Sequence, residues 1–196
     1  SLRQELMRRE LELAAEMQAF LVPSVFEAND IIDVHALYYP HQEVGGDYYD
    51  QFALSDGRQV TCIADVSGKG ISAAFLMANF QAQLRAHIEI VPSLEALIHT
   101  LNASVVSATH GDRFITFFIS IYDPVKRELY SVNAGHNPPL LRGTEDRWLR
   151  KGCMGLGMID EIPVIHHDRV SIAPREILVC FTDGLVEVEN NAGEEY

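Results

Sequence analysis

Apolar residues along this chain recur either every third to fourth position or every second one, and the changes of period mark its elements. Residues 2–21, LRQELMRRELELAAEMQAFL, predict a helix. Leu2, Leu6, Leu13, Met17 and Phe20 fall near helical spacing, with Arg9 interrupting the stripe. Leucine, alanine, glutamate and arginine favour helix, and Pro23 marks its end. The segment holds only about two or three heptads, too few for a secure coiled coil of its own. It either packs on its own domain, or forms a stalk that pairs with a second copy or joins an upstream sensor.

Beyond Pro23 the period shortens. DIIDVHALYYP alternates as a strand does. QFALSDGRQVTCIADVSGKG predicts a strand, an Asp-Gly turn, a second strand and a loop. SAAFLMANFQAQLRAHI is a helix with a wide apolar face. PSLEALIHTLNASVVSAT is another, with Pro92 and Ser93 at its start. FITFFISIYDPVKRELYSVNAGHNPPLLRG predicts two antiparallel strands around Asp123-Pro124. EILVCFTDGLVEVEN predicts a buried strand ending in Asp-Gly. Strand pairs, then two helices, then strand pairs imply an α+β fold with helices packed on antiparallel sheets. Periodicity leaves open whether the strands form one sheet or two.

Composition narrows this picture. A length of 196 residues with 47% hydrophobic positions fits one globular domain plus a small addition. No apolar run approaches the roughly 18 residues of a membrane span, and SLRQELMRRE lacks a signal-peptide core, so a soluble, cytoplasmic protein is expected. Cys62, Cys153 and Cys180 are odd in number and form no CxxC, which favours free thiols over a disulfide framework. A net charge of −13 and the lack of a basic patch argue against nucleic acid as a partner. The same acidity leaves carboxylates free to hold hard cations.

Three acids share one context. Asp47 follows Gly45-Gly46 in EVGGDYYDQF, Asp65 follows TCIA and precedes VSGKG, and Asp183 follows ILVCFT and precedes Gly184. An acid that ends a buried strand stands at a sheet rim, where several can converge. Converging carboxylates repel unless they share protons or bind cations. Oxygen-only ligands select Mg²⁺, Mn²⁺ or Ca²⁺, and nearby glycines let carbonyls and waters approach. Each Asp-Gly also reads as a plain turn, and spacing alone leaves both readings open. Tyr48 and Tyr49 read as strand packing, and Asp50 as a turn acid.

Other motifs add little. SGKG lacks the GxxxxGK[ST] frame, because Gly70 follows Lys69. NAGHNPP carries His136 in a turn, read first as structural and second as a contact to a phosphate or proton. His110, His166 and His167 have no partner at metal-ligand spacing. No GxSxG nucleophile elbow occurs.

Five motifs in order, EVGGDYYD, ADVSGKGISAAFLMA, FITFFISIYD, SVNAGHNPPLL and FTDGLVEVEN, resemble the bacterial metal-dependent serine/threonine phosphatases. They are similar to the type 2C-like PPM family, in its SpoIIE/RsbU-type branch. AAEMQAFLVPS looks like the branch's helical lead-in, so the likeness runs from about residue 10 onward. It implies a four-layer α-β-β-α sandwich of two antiparallel sheets. A regulatory helix would span 1–22 and a phosphatase domain 23–196, the latter lacking its C-terminal end. It implies two Mn²⁺ or Mg²⁺ ions: Asp65 bridging both, the Val66 carbonyl and Asp47 on one, Asp183 on the other. A metal-activated water would then hydrolyse phosphoserine or phosphothreonine on an anti-anti-sigma protein of the STAS type, in stress or developmental signalling. An upstream sensor would act through the lead-in helix, which is also a candidate homodimer contact.

One departure stands out. The family carries a further aspartate, in an Asp-Asp pair ahead of a last strand, and no such pair follows FTDGLVEVEN here. The chain as given is therefore expected to hold one ion well at best and to hydrolyse phosphate esters poorly. Two other readings remain. One is a non-catalytic phosphatase-fold sensor or scaffold. The other is a diguanylate cyclase, suggested by Gly-Gly-Asp, although Tyr48-Tyr49 stand where that signature has Glu-Phe.

Overall fold

The computed structural model describes residues 2–23, 25–26, 29–39 and 44–186. Helix α1 (Leu2–Ala19) leads. Strands β1 (Tyr48–Ala53) and β2 (Gln59–Val66) follow, then helices α2 (Ile71–His87) and α3 (Leu94–Thr109). Strands β3 (Ile115–Asp123), β4 (Glu128–Ala134), β5 (Leu140–Arg142), β6 (Arg147–Trp148), β7 (Gly152–Cys153), β8 (Asp168–Ser171) and β9 (Ile177–Val179) complete the described part. The main sheet runs β1-β2-β3-β4-β7, with β8 also paired to β4, and a second sheet runs β6-β5-β9. The α+β expectation is met, and the open question of one sheet or two is answered as two.

Local chemistry explains the elements. The Asp56-Gly57 turn closes the β1–β2 hairpin with Gly57 at φ 87°, a left-handed backbone that glycine adopts freely. Asp56 Oδ1 accepts from the Arg58 N–H at 3.1 Å and steadies that turn. Ser93 caps α3 by accepting the Ala96 N–H at 3.1 Å. In α2 the residues Ala73, Met77, Phe80 and Leu84 are buried at helical spacing.

The core has two parts because β2 and β3 are buried on both faces. Cys62, Ala64, Phe117 and Ile119 face α2 and α3, and the rings of Phe80 and Phe117 meet edge to face at 4.9 Å. On the other face Ile63 and Phe118 pack with Leu129 and Leu149, against Leu178 and Cys180 of the second sheet's side. Helices, main sheet and second sheet thus form three layers. A helical layer beyond the second sheet is not among the described residues.

Three local expectations are corrected, and the open choice for α1 is narrowed. Residues 30–39 alternate in sequence but form no strand. The Asn29 side chain accepts the N–H groups of Ile31 and Ile32, each at 2.9 Å, so the backbone is turned away from a ladder at its start. Strand β9 is three residues long and half-exposed rather than buried, with Ile177 60% exposed. Helix α1 does not bury its apolar stripe: Leu2, Leu6, Leu13, Met17 and Phe20 are all exposed, and its one buried side chain is the polar Gln18. Asp50 is no turn acid, since it sits in mid-β1 and is 4% exposed. The three cysteines are free, as expected. Among the described residues no helix is long and apolar enough to cross a membrane.

Asp50 shows how the helical face tolerates an acid. Its Oδ2 accepts from Arg85 Nη2 at 2.7 Å and from the Tyr48 hydroxyl at 2.7 Å. The Arg85 guanidinium also lies 3.6 Å from the centre of the Phe52 ring. Asp50→Ala is expected to lower the unfolding free energy by about 2–3 kcal/mol, because it strands a buried hydroxyl and a part-buried cation. Urea denaturation measures this, and an Asp50→Ala loss below about 1 kcal/mol would count against it.

Candidate metal centre at the sheet rim

The β1–β2 register brings the first two acids together. Tyr48 pairs with Ala64, so the next step outward sets Asp47 opposite Asp65, and the one after sets Gly46 opposite Val66. Gly46 is needed for space rather than for bending. A Cβ there would stand 2.9 Å from the Val66 carbonyl oxygen and 3.0 Å from Val66 Cβ. The N–H of Ile115, which pairs with Val66 across the β2–β3 ladder, goes to the Leu156 oxygen at 2.8 Å instead.

The Asp47 and Asp65 carboxyls stand close enough to act on each other, and the Thr182 hydroxyl lies 3.5 Å from Asp47 Oδ2. Burial pushes the Asp47 carboxyl above its ordinary value. The nearby Asp183 charge adds to the rise, and the contacts with Asp65 and Thr182 partly offset it. Ionised carboxylates only accept, so two of them this close need a proton or a cation between them. Asp183 opens a short 3₁₀ turn, Asp183–Leu185, beyond β9. Glu43, before the first glycine of EVGGDYYD, and residues 187–190 of FTDGLVEVEN lie outside the described residues.

A buried histidine fastens the two sheets beneath these acids. His136 is 5% exposed. One ring nitrogen, Nδ1, is 2.9 Å from the Thr116 hydroxyl, on the residue that pairs with Asp65. The other, Nε2, is 3.1 Å from the Phe181 carbonyl, two residues before Asp183. A carbonyl only accepts, so Nε2 carries the proton and a neutral Nδ1 accepts from Thr116. The Asn133 side chain holds the loop by accepting the His136 N–H at 2.8 Å and donating to the His136 carbonyl at 3.0 Å. Gly135, at φ 68°, lets the loop pass Gly155, whose nitrogen would be 2.8 Å from a Cβ. The structural reading of NAGHNPP is thereby met.

Two further groups reach the rim unannounced by any motif. Gln18 of α1 accepts the Gly45 N–H at 3.0 Å and donates to the Gly45 carbonyl, two residues before Asp47. Tyr38 approaches from the unpaired segment, its ring 6.1 Å from that of Tyr49. Burial raises its hydroxyl to about 12, with Asp47, Tyr49 and Asp65 adding to the shift. Polar residues at isolated positions give no periodic signal, and only their distant partners reveal them.

Among the described residues, no three histidine, cysteine, aspartate or glutamate side chains stand in an arrangement that could hold a metal ion by themselves. What the rim offers is two adjoining carboxylates, a backbone carbonyl at a strand end and a third acid close by. That set fits a hard ion such as Mg²⁺, which keeps several waters and takes one or two carboxylates, better than it fits an all-protein cage. The buried, unpartnered Tyr38 hydroxyl beside the carboxylates shows that the rim has polar capacity its own side chains leave unused.

The family model for Stage II sporulation protein E (SpoIIE) matches residues 55–196. The chain belongs to the SpoIIE family. Its fold is of the PP2C type. It is 27% identical over 194 residues to phosphoserine phosphatase RsbU of Bacillus subtilis, covering 97% of this chain and 57% of RsbU. It is 27% identical over 216 residues to Protein IcfG of Synechocystis sp., covering 95% of this chain and 34% of IcfG. The chain therefore spans about a third to just over half the length of these relatives. Its fold is similar to the SiaA-PP2C domain of Pseudomonas aeruginosa, at TM-score 0.80 and 21% identity, covering 98% of this chain and 78% of that one. This likeness agrees with the α+β class expected from the sequence.

His136 gives this SpoIIE-family domain a pH signature. Burial holds its imidazole down at about 4, against the pull of the Phe181 carbonyl and the Asp183 charge. An unfolded histidine takes its proton near 6.5, so between those values the unfolded chain binds more protons. Stability from this group is full above about pH 6.5 and is lost as pH falls toward 4, by roughly 3 kcal/mol. Urea denaturation from pH 7.5 to 4.5 should show this slope, and His136→Gln should flatten it. Comparing the two proteins separates this slope from that of Asp47, whose raised carboxyl acts in the opposite sense. An unchanged slope in His136→Gln would refute the assignment.

Proposed function

We propose that this chain is the catalytic domain of a metal-dependent protein serine/threonine phosphatase. The observation that carries the reading is the close approach of the Asp47 and Asp65 carboxylates at the rim, with the Val66 carbonyl against Gly46 and Asp183 alongside. Two like charges held together in a half-buried place are the arrangement a divalent cation would relieve. Asp47, Asp65 and the Val66 carbonyl would hold one Mn²⁺ or Mg²⁺, and Asp65 with Asp183 a second. Such ions supply Lewis-acid stabilisation of phosphoryl oxygens and an acidified water.

The chain's own residues do the rest. Gly46 keeps the Val66 carbonyl accessible by adding no side chain. His136, neutral and bonded at both nitrogens, sets the distance between the sheet carrying Asp65 and the turn carrying Asp183. Thr182 steadies Asp47 from the second sheet's side. The substrate we infer is phosphoserine or phosphothreonine on an anti-anti-sigma protein of the STAS type, in line with the likeness to RsbU, a phosphoserine phosphatase. An upstream sensor acting through α1 would reach Asp47 by way of Gln18 and Gly45.

In a chain extended through the family's Asp-Asp pair, Asp65→Asn is expected to lower Mn²⁺-dependent release of phosphate from a phosphoserine protein by on the order of 10³-fold while the circular dichroism spectrum is kept. Equal turnover by wild type and variant would support a scaffold role instead. The exposed stripe of α1 carries a second expectation: the protein sediments as a dimer, and removal of residues 2–21 gives monomers. Identical sedimentation of both forms would sink the dimer.

A further inference from the structure

Among the described residues, one buried side-chain polar atom has no hydrogen-bond partner, and it is the Tyr38 hydroxyl. Its position is built rather than accidental. The Tyr38 ring stands 6.1 Å from Tyr49, which in turn stands 6.1 Å from Phe26, so three rings hold one another. The Tyr49 hydroxyl is tied off on the Pro23 carbonyl at 2.9 Å, and the Tyr38 hydroxyl is not tied off at all. Asp47 and Asp65 both lie near enough for their charges to act on it, yet it bonds neither.

A buried hydroxyl without a partner costs stability, and a phenylalanine would fill the same space without that cost. When cations occupy the lone pairs of Asp47 and Asp65, the acceptors the hydroxyl meets are the anionic oxygens those cations attract. We propose that Tyr38 is a substrate-binding residue whose hydroxyl donates a hydrogen bond to an oxygen of the phosphoryl group held at the Asp47–Asp65 rim. The inference rests on the phosphatase reading and adds a phosphate ligand from outside the sheets. The equatorial oxygens of a transferring phosphoryl group carry its spread charge, and a donor already held in place needs no reorganisation during the reaction.

Tyr38→Phe tests this with two effects of opposite sign. Without metal or phosphate, the variant melts at the same or a higher temperature than wild type. With Mn²⁺ present, the inorganic phosphate concentration that gives a set rise in melting temperature increases about tenfold or more. The rise produced by Mn²⁺ alone stays the same in both proteins. Tyr49→Phe, which loses the bond to Pro23, leaves the phosphate response unchanged. An equal phosphate response in wild type and Tyr38→Phe overturns the inference while leaving Mn²⁺-dependent hydrolysis intact. A matching loss of the Mn²⁺ response also overturns it, because Tyr38 would then shape the metal centre. A wild type extended through the family's Asp-Asp pair that shows neither Mn²⁺-dependent hydrolysis nor a phosphate response overturns the phosphatase reading and this inference together.

Discussion

Two carboxylates taken partly out of water beside each other repel unless a proton or a cation stands between them. The β1–β2 register forces this conflict on Asp47 and Asp65 by setting them opposite each other one step beyond the ladder. Much of the surrounding structure holds the conflict in place. Gly46 packs against Val66 where no side chain would fit. His136 ties β3 to the strand-end that leads to Asp183. The two-sided core fixes the main sheet between the helices and the second sheet, so the rim cannot relax by sliding.

The same hairpin carries an acid with the opposite fate. Asp50 is three residues from Asp47 and on the other face of β1, where Arg85 and Tyr48 satisfy it. One acid is paired with a cation of the protein, and the other stands beside a second acid. This division follows from the period of a strand, which sends Asp47 toward the second sheet and Asp50 toward α2. Neither composition nor net charge distinguishes the two.

Some of this was legible in the sequence and some was not. Asp65 and Asp183 announced themselves by ending apolar runs and Asp47 by its Gly-Gly stretch, and the hairpin, both long helices and the β3–β4 pair followed from period and turn chemistry. The family likeness then gave the order of the motifs a fold. What stayed hidden depends on partners far away in the chain. Asp50 looked like a turn acid because Arg85, 35 residues on, was unseen. His136 could not be told from a loop histidine without Thr116 and Phe181. Residues 30–39 alternated convincingly, but pairing needs a neighbour as well as a pattern, and Asn29 takes the first N–H groups for itself. Tyr38 gave no signal because it has no partner to predict.

Gln18 has a mechanical consequence. Its amide donates to and accepts from the backbone of one residue, Gly45, so both bonds form or break together. Sliding α1 by one residue would shift it about 1.5 Å and turn it about 100°, exchanging Gln18 for Met17 or Ala19. Neither replacement can both give and take a hydrogen bond through its side chain. The helix can therefore grip the segment before Asp47 in one axial register only. Its 18 residues make it a rigid lever about 27 Å long with a single notch.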